Sequence, residues 1–153
     1  MTGRPIRSEE DIGVVISFKD NVDQMIKDAE LYQKAISTLN PRTLSPSADA
    51  GSVACALVTD KGNIYVGVCI DTSCSMGFCA EHNAIGTMVT HGESKIVSIV
   101  AVNRDNKILS PCGRCREFIR QIDPANAQTR VLLEGDRVAT IEQLLPEHWI
   151  RED

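Results

Sequence analysis

The sequence predicts a three-layer α/β/α sandwich around a mixed sheet of about five strands. Three observations carry that prediction. Segments of helical and strand period alternate after an N-terminal helix and hairpin. The run "IVSIVAV" is almost continuously apolar, the pattern of a strand covered on both faces. A chain of 153 residues, 42% hydrophobic and 24% charged, matches one compact domain with a core of its own.

Residues 1–18 read as a polar N-terminal lead-in closed by "VVISF", leaving 19–153 as a single domain. Val22, Met25, Ile26, Ala29, Ile36 and Leu39 recur at helical spacing, predicting a first helix that ends before Pro41. "NPRTLSPSADAGS" reads as a connection. "SVACALVTDKGNIYVGVC" follows as a hairpin whose turn uses Gly62 at positive φ. After the irregular "IDTSCSMGF", a helix runs from about Cys79 to His91, with Ala80, Ala84, Ile85, Met88 and Val89 on one stripe and Gly92 as its stop.

"SPCGRCREFIRQIDP" has clear punctuation for another helix: Ser110 as N-cap, Pro111 at the first position, and Asp123-Pro124 as terminator. "TRVLLEGDRVAT" gives a strand and a short return strand, and "IEQLLP" a short closing helix.

The net charge of -5, with no long Lys/Arg run, argues against a nucleic-acid binder. "MTGRPIRSEEDIG" lacks the apolar core of a signal peptide, and no stretch is long enough to cross a bilayer, so the expected home is the cytoplasm. Six cysteines there stay mostly reduced and call for packing or metal as their explanation.

In "PCGRC", Cys112 and Cys115 lie one turn apart on one helix face, where two thiols can converge on an ion. The positive end of a helix favours the thiolate that binds metal. Alone, the motif also fits a redox pair or two core cysteines. Cys79 starts the crossover helix that leads to the preceding strand, and such helices bring their N-termini to one sheet edge. Three thiolates leave one tetrahedral zinc position open, as in a catalytic site. A fourth ligand from His82, His91, Cys74 or Cys69 would make the site structural instead. Glu81, on the same first turn as Cys79, can reach a zinc-bound water. Cys55 reads as packing.

"CAE" at 79–81 followed by "PCGRC" at 111–115 resembles the zinc-dependent cytidine deaminase superfamily, over roughly residues 20 to 150. "SVACAL" and "ILSPCGRCR" resemble its blasticidin-S deaminase branch. The resemblance implies Zn²⁺ held by Cys79, Cys112 and Cys115, with Glu81 as the catalytic proton carrier. It implies hydrolytic deamination of an aminated pyrimidine nucleoside or analogue and a homotetrameric assembly, while the acidic charge and the lack of a long apolar stretch add the expectation of no nucleic-acid and no membrane partner. The alternatives are a non-catalytic zinc module of the same fold and a nucleic-acid-editing deaminase.

The family balances its thiolates with arginines. The one matching Arg116 bonds a ligand sulfur, and the one after the catalytic Glu is His82 here, so His82 or Arg114 inherits part of that role. Substrate contacts carry over less well. Ser52 stands near the place of a family Phe. "CID", ending in Asp71, replaces a ribose-binding Asn-x-Glu. Asn106 stands where blasticidin-type enzymes carry an Arg. Trp149, the only Trp, matches a C-terminal aromatic that closes a pocket.

Overall fold

The computed structural model describes residues 9–151. Helix α1 (Glu9–Thr38) leads, followed by β1 (Arg42–Ser45), β2 (Ala48–Thr59), β3 (Ile64–Thr72), α2 (Ala80–Thr90) and β4 (Ile96–Asn103). Then come β5 (Ile108–Leu109), α3 (Gly113–Ile122), β6 (Arg130–Leu133), β7 (Arg137–Thr140) and α4 (Ile141–Leu144).

The long strands order as β3-β2-β4-β6-β7, antiparallel except for the β4/β6 pair. This is the predicted mixed sheet. Two short strands raise its number to seven: β1 beside the start of β2, and β5 folded back on β4. β1 lies in the segment read as a connection, and it forms because Pro46-Ser47 turns the chain back onto Ala48–Ala50.

Strand alternation assigns the layers. Ala54, Ala56, Val100, Val102 and Leu132 point to one face and pack under Leu31 and Ala35 of α1. Their neighbours Cys55, Leu57, Ile99, Ala101 and Val131 point the other way, joining Ala80, Ala84, Ile85 and Met88 of α2 and Ile119 of α3. β4 is therefore covered on both sides, as its unbroken apolar run predicts. Asp28 on α1 also reaches Arg130 on β6 at 2.7 Å, pinning the first layer.

Gly62 and Gly92 adopt φ of +81° and +85°, matching the expected turn and helix stop. Two helix starts depart from the sequence reading. α1 begins at Glu9, so "VVISF" is helical and not lead-in, while residues 1–8 of that lead-in lie outside the described residues. α3 begins at Gly113 with Cys112 as its extended N-cap, because β5 pairs Ile108 and Leu109 with β4 and the chain turns helical only after Cys112.

Among the described residues, no helix is long and apolar enough to cross a membrane.

Candidate active site

Two helix N-termini meet at the cysteines. Cys79 caps α2 with φ -67° and ψ 157°. Cys112 caps α3 with nearly the same backbone, φ -67° and ψ 168°. Because β3 and β4 both run antiparallel to β2, they share a direction across it. α2 follows β3, and α3 is reached after β5 doubles back on β4 at Val102 and Ala101. Cys115 lies one turn into α3 and is fully buried.

The thiols are spaced for a metal ion. Cys79 Sγ lies 3.7 Å from Cys112 Sγ, and Cys112 Sγ 3.5 Å from Cys115 Sγ. Two sulfurs bound at about 2.3 Å to one tetrahedral zinc lie about 3.8 Å apart, so the donor set fits zinc with little rearrangement. Cys79, Cys115 and His82 Nδ1 also fall within 4.8 Å of one another. The six cysteines are free thiols.

The electrostatics divide the three. Burial pushes Cys115 far above the ordinary thiol range, with the Glu81 charge adding to it. Burial also raises Cys79. Cys112 is the one pushed down. Burial opposes its thiolate, but the main-chain N–H groups of Cys115 and Arg114 and the two neighbouring thiols outweigh that together. An N-cap thiol facing open helix amides is the group expected to ionise first.

Glu81 is 6% exposed, and burial raises its carboxyl above the usual carboxylate range. Its surroundings explain why: a small cavity walled by Ile99, Val100, Ala101, Leu109, Pro111 and Val131. Cys55 is completely buried, as the packing reading requires, and the Glu81 charge helps hold its thiol protonated. A carboxyl placed against apolar walls holds a proton more readily than one in water, the property a proton carrier needs.

His82 brings its Nδ1 to 3.4 Å from Cys115 Sγ. Its ring stacks on Phe118, centroids 4.3 Å apart and planes 1° from parallel. Burial lowers its proton affinity and the Arg114 charge lowers it further. The stacking partner was not singled out from sequence, although Phe118 stands one turn beyond Cys115 on α3.

Arg116 does not turn to a sulfur. Its guanidinium donates to Pro111 O at 2.8 Å, Ser110 Oγ at 3.0 Å and Leu144 O at 3.1 Å.

The remaining candidates separate. Ser52 and Asp71 come together across a β-bulge where Ala50 pairs with Ile70 and Ala54 with Val68. Cys69 sits between them, 3.3 Å from Ser52 Oγ and 3.7 Å from Asp71 Oδ2. Asn106 instead occupies a turn at φ 60°, and its carbonyl accepts from Tyr32 on α1 at 2.6 Å. α1 covers the sheet face opposite α2 and α3, so the structure does not bring Asn106 to the cysteines. Trp149 is 81% exposed, and its main-chain N–H donates to the Glu117 carboxylate at 3.3 Å.

Residues 25–130 match the family model for the cytidine and deoxycytidylate deaminase zinc-binding region. A blasticidin-S deaminase from Bacillus cereus is 31% identical over 141 residues, 86% of this chain and 96% of that protein. A cytidine deaminase from Halalkalibacterium halodurans is 30% identical over 104 residues, 66% of this chain and 79% of its own. The crystal structure of cytidine deaminase from Mycobacterium leprae superposes with a TM-score of 0.66 at 23% identity, covering 78% of this chain and 97% of that one. That last likeness supports the fold.

Proposed function

The chain belongs to the cytidine and deoxycytidylate deaminase family of zinc enzymes, and from that premise we propose its substrate and the parts its residues play. It hydrolyses the exocyclic amine of a cytosine-like base in a nucleoside or nucleoside antibiotic and releases ammonia. The observation that supports this most is the pairing of three thiols at zinc-ligand spacing with a buried Glu81 whose proton affinity burial raises.

Cys79, Cys112 and Cys115 hold the zinc, which supplies Lewis acidity to activate water at neutral pH. Glu81 accepts a proton from the attacking water and delivers it to the ring nitrogen beside the carbon under attack. The same carboxyl then carries a proton to the departing amine, so that ammonia leaves neutral. Its apolar wall of Ile99, Ala101 and Val131 keeps competing water from that proton. His82 stays in hydrogen-bond contact with Cys115 and does not ligate, since a fourth protein ligand would close the site to water.

Ser52 and Asp71, joined through Cys69, offer hydroxyl and carboxylate groups to the polar end of the substrate. The exposed Trp149 covers a neighbouring copy's site in a homotetramer. The working unit is a single domain that takes in the whole of α1 from Glu9, acting in the cytoplasm on a small molecule. The net charge of -5 supports a small-molecule substrate over a nucleic acid.

Ammonia release is to be measured across cytidine, deoxycytidine, cytosine and blasticidin S. Glu81→Gln is expected to abolish release from the best of them while leaving zinc content unchanged. Retained turnover in that variant would refute the role given to Glu81, and no release from any of the four would refute the substrate class.

A further inference from the structure

β3 pairs with β2 along one side, and among the described residues no strand covers the other. An edge of that kind leaves outward N–H and C=O groups in need of partners. Two of its positions find them in the chain around Cys79. Ile70 and Phe78 exchange main-chain bonds, Ile70 N to Phe78 O at 3.1 Å and Phe78 N to Ile70 O at 2.9 Å. Two residues earlier on the strand, Val68 O accepts from the side-chain amide of Asn83 at 3.1 Å. Phe78 and Asn83 therefore bracket Cys79, Glu81 and His82, and both ends of that short stretch are fastened to one strand.

The helix itself holds the stretch less firmly. Its opening bond, Asn83 N to Cys79 O, is 3.4 Å, longer than the roughly 2.7–3.2 Å of an ordinary N–H···O bond. Each tether also has a glycine beside it that keeps the approach open. A Cβ on Gly77 would stand 2.1 Å from Ile70 O, and one on Gly67 would stand 2.7 Å from Asn83 Cβ. With the backbones this close, a short side chain reaches a strand carbonyl. Only a donor serves there, so the amide nitrogen of Asn83 faces the carbonyl oxygen.

We propose that Asn83 is a positioning residue for Glu81: its amide locks the first turn of α2 to the outer edge of β3 and so sets where the carboxyl meets the reacting atoms. The inference rests on Glu81 being the proton carrier, as proposed above. Successive residues of a helix are turned by about 100°, so fixing Asn83 against β3 fixes the rotation of α2 and with it the direction of Glu81, two positions earlier. The bridge at Phe78 holds the entry to the helix but leaves that rotation to the side chain.

The test compares wild type, Asn83→Asp and Asn83→Leu as zinc-loaded full chains. Both variants nearly keep the size of the side chain and remove its donor. Kinetics on the best of the four substrates are measured well below each variant's Tm, beside amide hydrogen exchange read by mass spectrometry. The expected result is a fall in kcat of about 10- to 100-fold with KM changed less than about threefold, the effect of a carboxyl displaced by about 1 Å. Exchange in the first turn of α2 is expected to quicken about 2- to 10-fold while β4 exchanges as in wild type, and zinc content is expected to stay stoichiometric. Should Asn83→Asp fail to fold, Asn83→Leu decides alone, and failure of both would make Asn83 a requirement of the fold and overturn its particular role at Glu81. Wild-type kcat in a folded variant, whatever its Tm, would overturn the proposal. So would a loss of kcat matched by lost zinc, or one with unchanged exchange in the first turn. A wild type that releases no ammonia from any of the four substrates would overturn the function reading together with this one, whereas an active wild type beside an indifferent variant overturns this one alone.

Discussion

Gly67→Ala tests how the fold sets the distance between the two halves of the site. Gly67 is buried on β3, directly beneath α2. A Cβ there would stand 2.4 Å from Ala84 N and 2.7 Å from Asn83 Cβ. Ordinary contact begins at 3.4 Å, so the helix must back away by about 1 Å. α2 carries Cys79 and Glu81 at its start, while Cys112 and Cys115 ride on α3. The displacement therefore falls on the spacing within the thiol trio and between Glu81 and the reacting atoms.

Overpacking of this kind costs about 1–3 kcal/mol. For a domain of this size each kcal/mol lowers Tm by roughly 2–4 °C, so thermal unfolding should fall by about 2–12 °C. A misplacement near 1 Å reaching the reacting groups is worth on the order of 100-fold in kcat/KM. Gly86→Ala is the matched comparison. It lies exposed on the same helix, with nothing within 4 Å of an added Cβ. That change should raise stability by about 0.4–1 kcal/mol and leave kcat/KM alone. Unchanged Tm and kcat/KM in Gly67→Ala would refute the claim that close helix–sheet approach positions α2.

Two further outcomes follow from other parts of the structure. Glu93 is buried at the end of α2 and accepts from Tyr65 OH, Thr59 Oγ1 and Asn63 Nδ2, bonds that hold its carboxyl below the ordinary value of 4.5. A depressed folded value means the stabilisation is complete above the unfolded value and is lost as pH falls through the folded one. Glu93→Gln should thus flatten the acid limb of Tm against pH below about pH 5, and an acid limb identical to wild type would contradict the assignment. Stripping zinc with a chelator should lower Tm reversibly, by an amount near 2.7 kcal/mol if free zinc had stood at about 100 times its Kd. Calorimetry with and without added zinc checks this, and identical melts would argue against a loaded site.

Where the sequence pattern had one period, it translated directly. Cys55 and Leu57 alternate with Ala54 and Ala56, and that alternation alone divides the two cores. The approach of Cys79 to "PCGRC" was readable because both motifs mark helix starts in consecutive crossovers. Competing local signals hid the rest. Ser110-Pro111 is a proper start signal for a helix, but Ile108 and Leu109 pair with β4 just before it and the helix starts only after Cys112. β1 was hidden because its four exposed residues carry no apolar alternation. Which way Arg116 turns depends on Leu144, 28 residues away, whose carbonyl no spacing rule places.

The turning of Arg116 raises the question of what balances the thiolates. Three of them around Zn²⁺ leave a net charge of -1, which works against acidity at the metal. Arg116 aims three of its five donors at Pro111, Ser110 and Leu144, and the position after Glu81 holds a histidine whose protonation burial disfavours. Arg114 brings its charge to bear on His82 beside Cys115, and the rest of what lies close to the sulfurs is backbone. Cys79 and Cys112 each cap a helix of more than two turns. Each helix N-terminus carries the equivalent of roughly +0.5 of a charge, so the two together match the excess in size. The His82 ring, held in orientation by Phe118, adds its own dipole beside Cys115. Compensation of that kind depends on orientation and not on a mobile cation, which makes the placement of the two helices, and the Gly67 contact that sets one of them, part of the chemistry at the metal.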